Sequence, residues 1–512
     1  MDAHGGAFSL NRPPLMCTLA AIQYAEVKRH TSWPSPQAKE RNPMSTLTFQ
    51  GAVKEVTGSR YLIEVDGNGS PKKLLLECGL HQGGSDADEA NAKPFGKLAH
   101  EVDAVVLSHG HLDHSGLLPK LVREGFSGPI HCTRGTRDLL EIMLQDAAFI
   151  MAKDAEWENK WRKRQDKPLV EPLYELEDVE RTLALCESHP YGQPVDLPGG
   201  ARLVFRDAGH ILGSAIVELT IPSGGQEKRL VFSGDLGNPS SVLMKDPEKL
   251  YEADVVLMES TYGDRDHRPL DETLEEFARV LEEAHEAGGN VLIPAFAVGR
   301  TQEILYHLSV LYHEGRLRQQ LVFLDSPMAI KVTELYHRAR KALDAEDLKV
   351  LNIAASGDTS QYLPILRMTR TVEESMAINR IHGGAIIIAG AGMCTGGRII
   401  HHFRYNLEKP NTRLVIVGFQ AAGTLGRQLV DGAERVRVLG QDLTVKAKVH
   451  TIGGFSAHAG QTDMIGWAGA FRNNPRFYLV HGEPETQEAF KAALAESGIE
   501  AEIPSYGDRI EL

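Results

Sequence analysis

Four side chains able to bind a metal fall within six positions, His109, His111, Asp113 and His114, inside Ser108-His109-Gly110-His111-Leu112-Asp113-His114-Ser115-Gly116. Imidazole nitrogens and carboxylate oxygens are the donors of open catalytic zinc sites, whereas closed structural sites lean on cysteine. His109 and His111 are two apart, so on an extended segment both point to one side, and Asp113 and His114 at the following turn can face a neighbouring ion. A loop of solvated, hydrogen-bonded histidines is the alternative, and the position between a buried strand and a helix weighs against it.

Such a site needs further ligands from distant parts of the chain. Three segments offer them: His210 in Ala208-Gly209-His210-Ile211-Leu212-Gly213-Ser214, Asp235 in Ser233-Gly234-Asp235-Leu236-Gly237, and His481 in Leu479-Val480-His481-Gly482-Glu483. Seven ligands are enough for two ions, with one aspartate bridging through its two oxygens. A lone His or Asp beside glycine is commonly a turn residue. These three are grouped by a shared position after apolar strands, where the glycines permit close backbone approach.

The elements that must position these residues can be read from the pattern. Apolar runs at 104–107, 229–232, 255–258 and 477–480 each end in small or functional residues, so the chemistry sits at strand ends. From Phe49 to about Lys73 the period is two, punctuated by Gly58, Gly67 and Gly69, which predicts antiparallel strands. A helix is expected from Leu117 to Glu124, ended by Gly125. Residues 138–187 predict surface helices broken at Pro168 and Pro172, with Trp157 and Trp161 packed beneath them rather than forming a base-stacking platform. After Gly263, strands at 291–294, 321–324, 385–389 and 413–417 alternate with helical patterns at 271–287, 300–314 and 328–343. That βαβ rhythm predicts a second, mostly parallel sheet. The run at 477–480 and a helix from Pro484 to Ser497 return to the earlier style, so the first domain resumes after an insertion.

Composition sets the outer limits. The 512 residues allow two to four domains, and 42% hydrophobic with 24% charged residues is the balance of a soluble globular protein. With 55 basic against 69 acidic residues the net charge is -14, so any nucleic-acid site must be local rather than a product of bulk charge. Five cysteines without a Cys-x-x-Cys pair indicate neither a disulfide framework nor a thiolate zinc knot. No run approaches the roughly 18 apolar residues of a membrane span, and residues 1–43, rich in proline and without periodicity, lack a secretory signal's apolar core. A cytoplasmic protein is expected, with no membrane partner and a disordered leader through residues 1–45.

The His109-x-His111-x-Asp113-His114 stretch, with His210, Asp235 and the Val56-Thr57-Gly58-Ser59 opening, resembles the metallo-β-lactamase fold. Glu259-Ser260-Thr261-Tyr262-Gly263, Gly454-Phe455-Ser456-Ala457-His458 and Val480-His481-Gly482-Glu483 look like the motifs of its β-CASP nuclease branch. That branch includes the cleavage subunit of the pre-mRNA 3′-end machinery and bacterial relatives. The resemblance covers about residues 46–512. It implies an α/β protein: a lactamase-type αββα sandwich at 46–262 and 447–512, interrupted by a β-CASP domain with a parallel sheet at 263–446.

Carried over by position, the resemblance puts His109, His111 and His210 on one zinc, Asp113, His114 and His481 on the other, and Asp235 between them. Mn2+ is an alternative metal. Glu259 matches the motif-A acid and His458 the motif-B histidine, which we read as a general acid held protonated by Glu259. Histidine at 481 goes with RNA-processing members, whereas DNA-repair members usually carry an aliphatic residue there. The family's Asp-x-Gly reads Glu77-Cys78-Gly79 here, and Glu77 is expected to orient a ligand histidine from behind. Arg300 and Thr301 at a helix start, Arg398 after Met393-Cys394-Thr395-Gly396-Gly397, and Thr424 with Arg427 are candidates for phosphate binding. The expected activity is hydrolysis of single-stranded RNA, endonucleolytic, exonucleolytic or both, with a homodimer as the candidate assembly. A non-catalytic RNA-processing scaffold and a hydrolase of small esters or thioesters are the competing readings.

Overall fold

The alternation that starts after Met44 builds the first of two stacked sheets in a computed structural model that describes residues 44–66, 70–239, 241–350, 363–421 and 423–512. Its strands lie in the order Arg509–Glu511, Thr46–Gly51, Arg60–Val65, Lys72–Leu76, Ala104–Val106, Ile130–Thr133, Cys186–His189. The first four pair antiparallel and the rest parallel. The second sheet runs Ala501–Glu502, Arg476–Val480, Val255–Glu259, Gln226–Phe232, Ala215–Ser223, Arg202–Asp207, Val195–Asp196.

Period-two alternation sends Leu47, Phe49, Tyr61, Ile63, Leu74 and Leu76 of one sheet against Phe205, Val217, Leu219, Phe232, Leu257 and Val480 of the other. Fully burying such a side chain stabilises the fold by about 1.5–3 kcal/mol. Helices cover both outer faces. Arg134–Arg164, whose first turn is capped by the Thr133 side chain accepting from Thr136 N, and Leu176–Ala184 lie over the first sheet through Leu140, Leu144 and Val179. Gln461–Ala468 and Pro484–Glu496 lie over the second through Met464, Phe490 and Leu494. The result is the αββα sandwich.

The inserted domain holds six parallel strands in the order Leu366–Met368, Leu321–Leu324, Ala385–Ala389, Val291–Pro294, Arg413–Ile416, Lys448–Thr451. The central strands read Val-Leu-Ile-Pro and Ala-Ile-Ile-Ile-Ala because both faces are covered, leaving no polar face to alternate with.

Four expectations need correction. The boundary at 446/447 falls too early: Lys448–Thr451 is the edge strand of the inserted sheet, paired to Arg413–Ile416, and Ile452 and Phe455 are in that domain's core. Its four residues, none of them fully buried, form no apolar run that would announce it. The leader as far as residue 43 lies outside the described residues, but Ser45 is ordered and buried, its N donating to Ser223 Oγ at 3.0 Å. The long surface helix starts at Arg134, four residues before the charged stretch that predicted it. Trp157 and Trp161 do not pack beneath helices: they are 62% and 49% exposed near its far end. Among the described residues no helix is long and apolar enough to cross a membrane.

Candidate metal centre and active site

Every predicted ligand lies at the end of a sandwich strand, and the loops that follow bring the seven together. His109 and His111 follow Ala104–Val106, with Asp113 and His114 in the short helix Leu112–Ser115; Asp235 follows Gln226–Phe232, and His481 follows Arg476–Val480. His210 rides the turn between Arg202–Asp207 and Ala215–Ser223. Two glycines make this crowding feasible. A Cβ at Gly79 would strike the Asp113 carbonyl, and one at Gly237 would strike the Gly209 carbonyl, so larger residues would push the ligand loops apart.

Two clusters result. In the first, His109 Nε2 is 3.1 Å from His111 Nδ1, His210 Nε2 is 3.3 Å from the same atom, and Asp235 Oδ2 is 3.4 Å from His109 Nε2 and 3.6 Å from His210 Nε2. In the second, His114 Nε2 is 3.2 Å from His481 Nε2 and 3.3 Å from Asp235 Oδ1, while Asp113 Oδ2 is 3.4 Å from His481 Nε2. Asp235 thus turns one oxygen to each cluster.

These donors fit a pair of divalent ions. Ligands about 2.0–2.1 Å from a tetrahedral zinc are separated from one another by about 3.3–3.4 Å, the spacing seen in both clusters. Asp235 Oδ1 is buried and accepts no hydrogen bond, a state that costs about 1–3 kcal/mol if nothing else compensates it. Burial opposes a charged His114, yet the Asp235, Asp113 and Glu77 carboxylates hold its pKa well above the usual value. That marks a place short of positive charge. Burial and neighbouring His109 push His111 down to about 3, and burial with His458 lowers His210, so both rings are neutral and offer lone pairs.

The outer nitrogens are held as well. His109 Nδ1 lies 3.0 Å from Ser108 Oγ, His210 Nδ1 is 3.1 Å from the Ala457 carbonyl, and His481 Nδ1 is 3.1 Å from Thr261 Oγ1. Glu77 lies behind His114. Its Oε2 sits 2.6 Å from His114 Nδ1, and the same carboxylate accepts from Ser108 N and Ser108 Oγ, so one group orients two ligand segments. Glu77 and His481 have φ of 64° and 52°, a left-handed conformation costing about 1–3 kcal/mol for such residues. Backbone bonds hold both, from Glu77 N to Val106 O and from His481 N to Ala52 O.

Beside the first cluster stands His458, its ring 4.5 Å from that of His210 and its Nδ1 3.2 Å from Glu259 Oε2. Glu259 is buried at the end of Val255–Glu259 and also accepts from Leu236 N, one residue past Asp235. Burial disfavours a charged imidazole, but the Glu259 carboxylate outweighs it and raises His458 to about 9. The His458 side chain keeps 22% of its surface open.

A cavity of about 380 Å³ opens over the clusters between the sandwich and the inserted domain. His111, Asp113, His210, His458 and His481 form part of its floor, and Phe296, Met393 and Phe419 line it from the inserted domain. Of the five predicted phosphate binders only Arg300 lines it, and its guanidinium already donates to the Val417 carbonyl at 2.8 Å. The other four need correction. Thr301 is buried and donates to Phe296 O; Arg398 is bound to Asp325 at 2.6 Å and to the Thr369 and Arg370 carbonyls. Thr424 caps its own helix, and Arg427 pairs with Asp431 at 2.8 Å. None of the four lines the cavity, and for Thr301 and Arg398 local structure already uses hydroxyl and guanidinium donors that a phosphate would need.

Phe296 and Phe419, 42% and 44% exposed, were missed by the sequence reading. A signal was available: each follows within two or three residues the carboxyl end of a buried parallel strand, Val291–Pro294 and Arg413–Ile416, where α/β sheets bind ligands.

Comparison with known proteins gives three family matches along the chain: the metallo-beta-lactamase superfamily at residues 55–284, the Beta-Casp domain at 301–429, and a Zn-dependent metallo-hydrolase RNA specificity domain at 442–504. Ribonuclease TTHA0252 of Thermus thermophilus is 42% identical over 461 residues, covering 90% of this chain and 98% of that protein. Transcription termination factor FttA of Thermococcus kodakarensis is 31% identical, covering 91% of this chain and 71% of its own length. A solved structure of a protein of unknown function from Enterococcus faecalis shares the fold at a TM-score of 0.52 and 12% identity, over 92% of this chain and 100% of that one.

Proposed function

This chain belongs to the β-CASP branch of the metallo-β-lactamase superfamily, and from that premise we propose that it is a two-zinc ribonuclease hydrolysing phosphodiester bonds of single-stranded RNA. The observation that carries the reading is Asp235, with one oxygen toward each of two ligand clusters and the Glu259–His458 pair alongside. His109, His111 and His210 would hold one ion, and Asp113, His114 and His481 the other. Bound there, the two cations would supply an activated water and neutralise charge on the phosphoryl oxygens.

The chain's own side chains do the rest. Glu77 fixes His114, and Ser108, Thr261 and the Ala457 carbonyl fix the other rings, so the ligand set needs little rearrangement to bind. His458 carries the proton that the departing ribose oxygen requires, and Glu259 keeps it in place at neutral pH. Phe296 and Phe419 offer faces on which unpaired bases stack, which favours single strands over duplexes. The name of the Thermus relative, a ribonuclease, supports the substrate class. Zinc is favoured by an all-nitrogen-and-carboxylate set, with Mn2+ as the alternative.

The test pairs metal analysis with cleavage of end-labelled single-stranded RNA, single-stranded DNA and a chromogenic lactone, for the native chain and Asp235→Asn. The expected result is two tightly held ions, cleavage of RNA, and loss of both metal and cleavage in Asp235→Asn. Hydrolysis of the lactone alone, or RNA cleavage that survives full metal removal, would overturn the proposal.

A further inference from the structure

We propose that the open edge of the sandwich carries a separate divalent-cation site formed by His131, Glu187 and His189, of the kind that takes zinc. The site stands apart from the ribonuclease reading and shares no residue with the two clusters described above. His131 lies on Ile130–Thr133, and Glu187 and His189 lie on Cys186–His189, the edge strand of the first sheet. The parallel register sets His131 beside Glu187 and Thr133 beside His189. Alternation along the edge strand then puts Glu187 and His189 on the same face as His131.

The donor atoms converge. His131 Nδ1 is 3.0 Å from His189 Nε2 and 3.7 Å from Glu187 Oε2, and all three ligand atoms lie within 4.8 Å of one another. The imidazole pairs of the main site are 3.1 to 3.3 Å apart, so this triplet has nearly the spacing of the seven-ligand centre. It is anchored at one end and open at the other: the His131 side chain is 4% exposed, while that of Glu187 is 60% exposed and leaves an entry path. The His189 ring stacks over Phe205 of the opposite sheet, at 6.4 Å and 24°, which restrains its rotation. Two nitrogens and one carboxylate with solvent as the fourth partner is a recognised zinc donor set. Burial, with His189 nearby, lowers the pKa of His131, and burial lowers that of His189, so both rings are neutral and able to coordinate.

The same strand ends hold the loop that presents His210. Thr133 Oγ1 donates to Gly213 O, and Tyr191 Oη donates to Ser214 O at 2.8 Å, while Ser214 Oγ accepts from His210 N. An ion at the triplet would cross-link the strand that ends in Thr133 and the strand that leads, two residues on, to Tyr191.

The experiment titrates zinc, at micromolar free concentrations, into the full chain already loaded at its tight sites, by calorimetry and elemental analysis, for the native protein, His189→Ala and Glu187→Gln. The native chain should take up one further equivalent with a rise in melting temperature. His189→Ala should lose both, and Glu187→Gln, at an exposed position that folding does not depend on, should weaken or lose them. RNA turnover at tight-site loading should be the same in all three. No further equivalent in the native chain, or an equal one in both variants, would overturn the proposal. Because the readout is a difference of one equivalent, it holds even if the seven-ligand centre is wrongly assigned.

Discussion

Replacing Glu259 by glutamine tests the proton donor without touching a metal ligand. Gln is isosteric and still accepts from Leu236 N through its amide oxygen, so the Asp235 loop keeps its anchor. What disappears is the negative charge 3.2 Å from His458 Nδ1. With Glu259 the imidazole sits at about 9; without it burial is opposed only by the Asp235 and Asp113 carboxylates, and the value falls toward that of an ordinary imidazole, about 6.5. At pH 8 the protonated fraction then drops from about 0.9 to about 0.03, a thirtyfold loss equal to about 2 kcal/mol of barrier. Bound cations would lower both values and move both limbs to lower pH, so the quantity to read is the separation of the limbs, about 2.5 pH units, rather than their absolute positions.

The sign of the pH dependence follows. A general acid acts while protonated, so native kcat/KM should fall along an alkaline limb set by His458, which stands at about 9 before the cations lower it. In Glu259→Gln the alkaline limb should move about 2.5 pH units below the native one. The ratio of the two rates should be largest above both limbs and shrink as pH falls toward the variant's limb, approaching one where both imidazoles are protonated. The assay is initial-rate cleavage of a labelled single-stranded RNA from pH 5.5 to 10, with metal content checked in parallel. An unchanged alkaline limb, or a loss that is the same at every pH with full metal content, would refute the acid role.

Other residues give independent checks. Glu77→Ala removes the partner of His114 Nδ1 and should weaken metal binding at the second cluster about ten- to hundredfold, read by competition with a chelator. Phe419→Ala should raise KM for single-stranded RNA about tenfold with little change in kcat, since stacking is worth about 1–3 kcal/mol per base. Asp325 is buried against Arg398 and His402, at 2.6 and 2.7 Å, and its hydrogen bonds outweigh burial to hold it at about 2. Its folded pKa is depressed, so its contribution is present above the ordinary carboxylate value and lost as pH falls toward 2. Asp325→Asn should therefore cost about 3 kcal/mol in urea unfolding at pH 7, with the gap to the native chain narrowing below about pH 4.

The sandwich and the inserted sheet were legible for different reasons. Strands packed between two sheets alternate, so the run from Phe49 to Lys73 announced itself, while strands covered on both faces read as unbroken apolar runs such as 385–389. Lys448–Thr451 belongs to neither class. It is a four-residue edge strand with only one neighbour, and its residues are half-buried or exposed, so nothing in its composition separates it from a loop. The same weakness hid the single-turn helix at Leu112–Ser115, too short for a period to register.

At the site, the legible residues were those whose chemistry fits poorly with packing. Seven His and Asp side chains placed after apolar strands have no reason to be there as packing, and all seven converge. Arginines and threonines beside glycine carry no such exclusion, because the backbone has its own uses for their donors. Asp325 shows the difference: it lies some seventy residues from Arg398 in sequence, yet its buried charge requires that guanidinium, leaving nothing for a phosphate. The same physics explains how a chain of net charge -14 can take an RNA strand. With Arg300 and Arg398 bound to carbonyls and a carboxylate, attraction for the substrate falls to exposed rings such as Phe296 and Phe419, to the half-exposed Arg265 that lines the same cavity, and to any bound cations. Rings and cations leave no trace in a count of lysines and arginines.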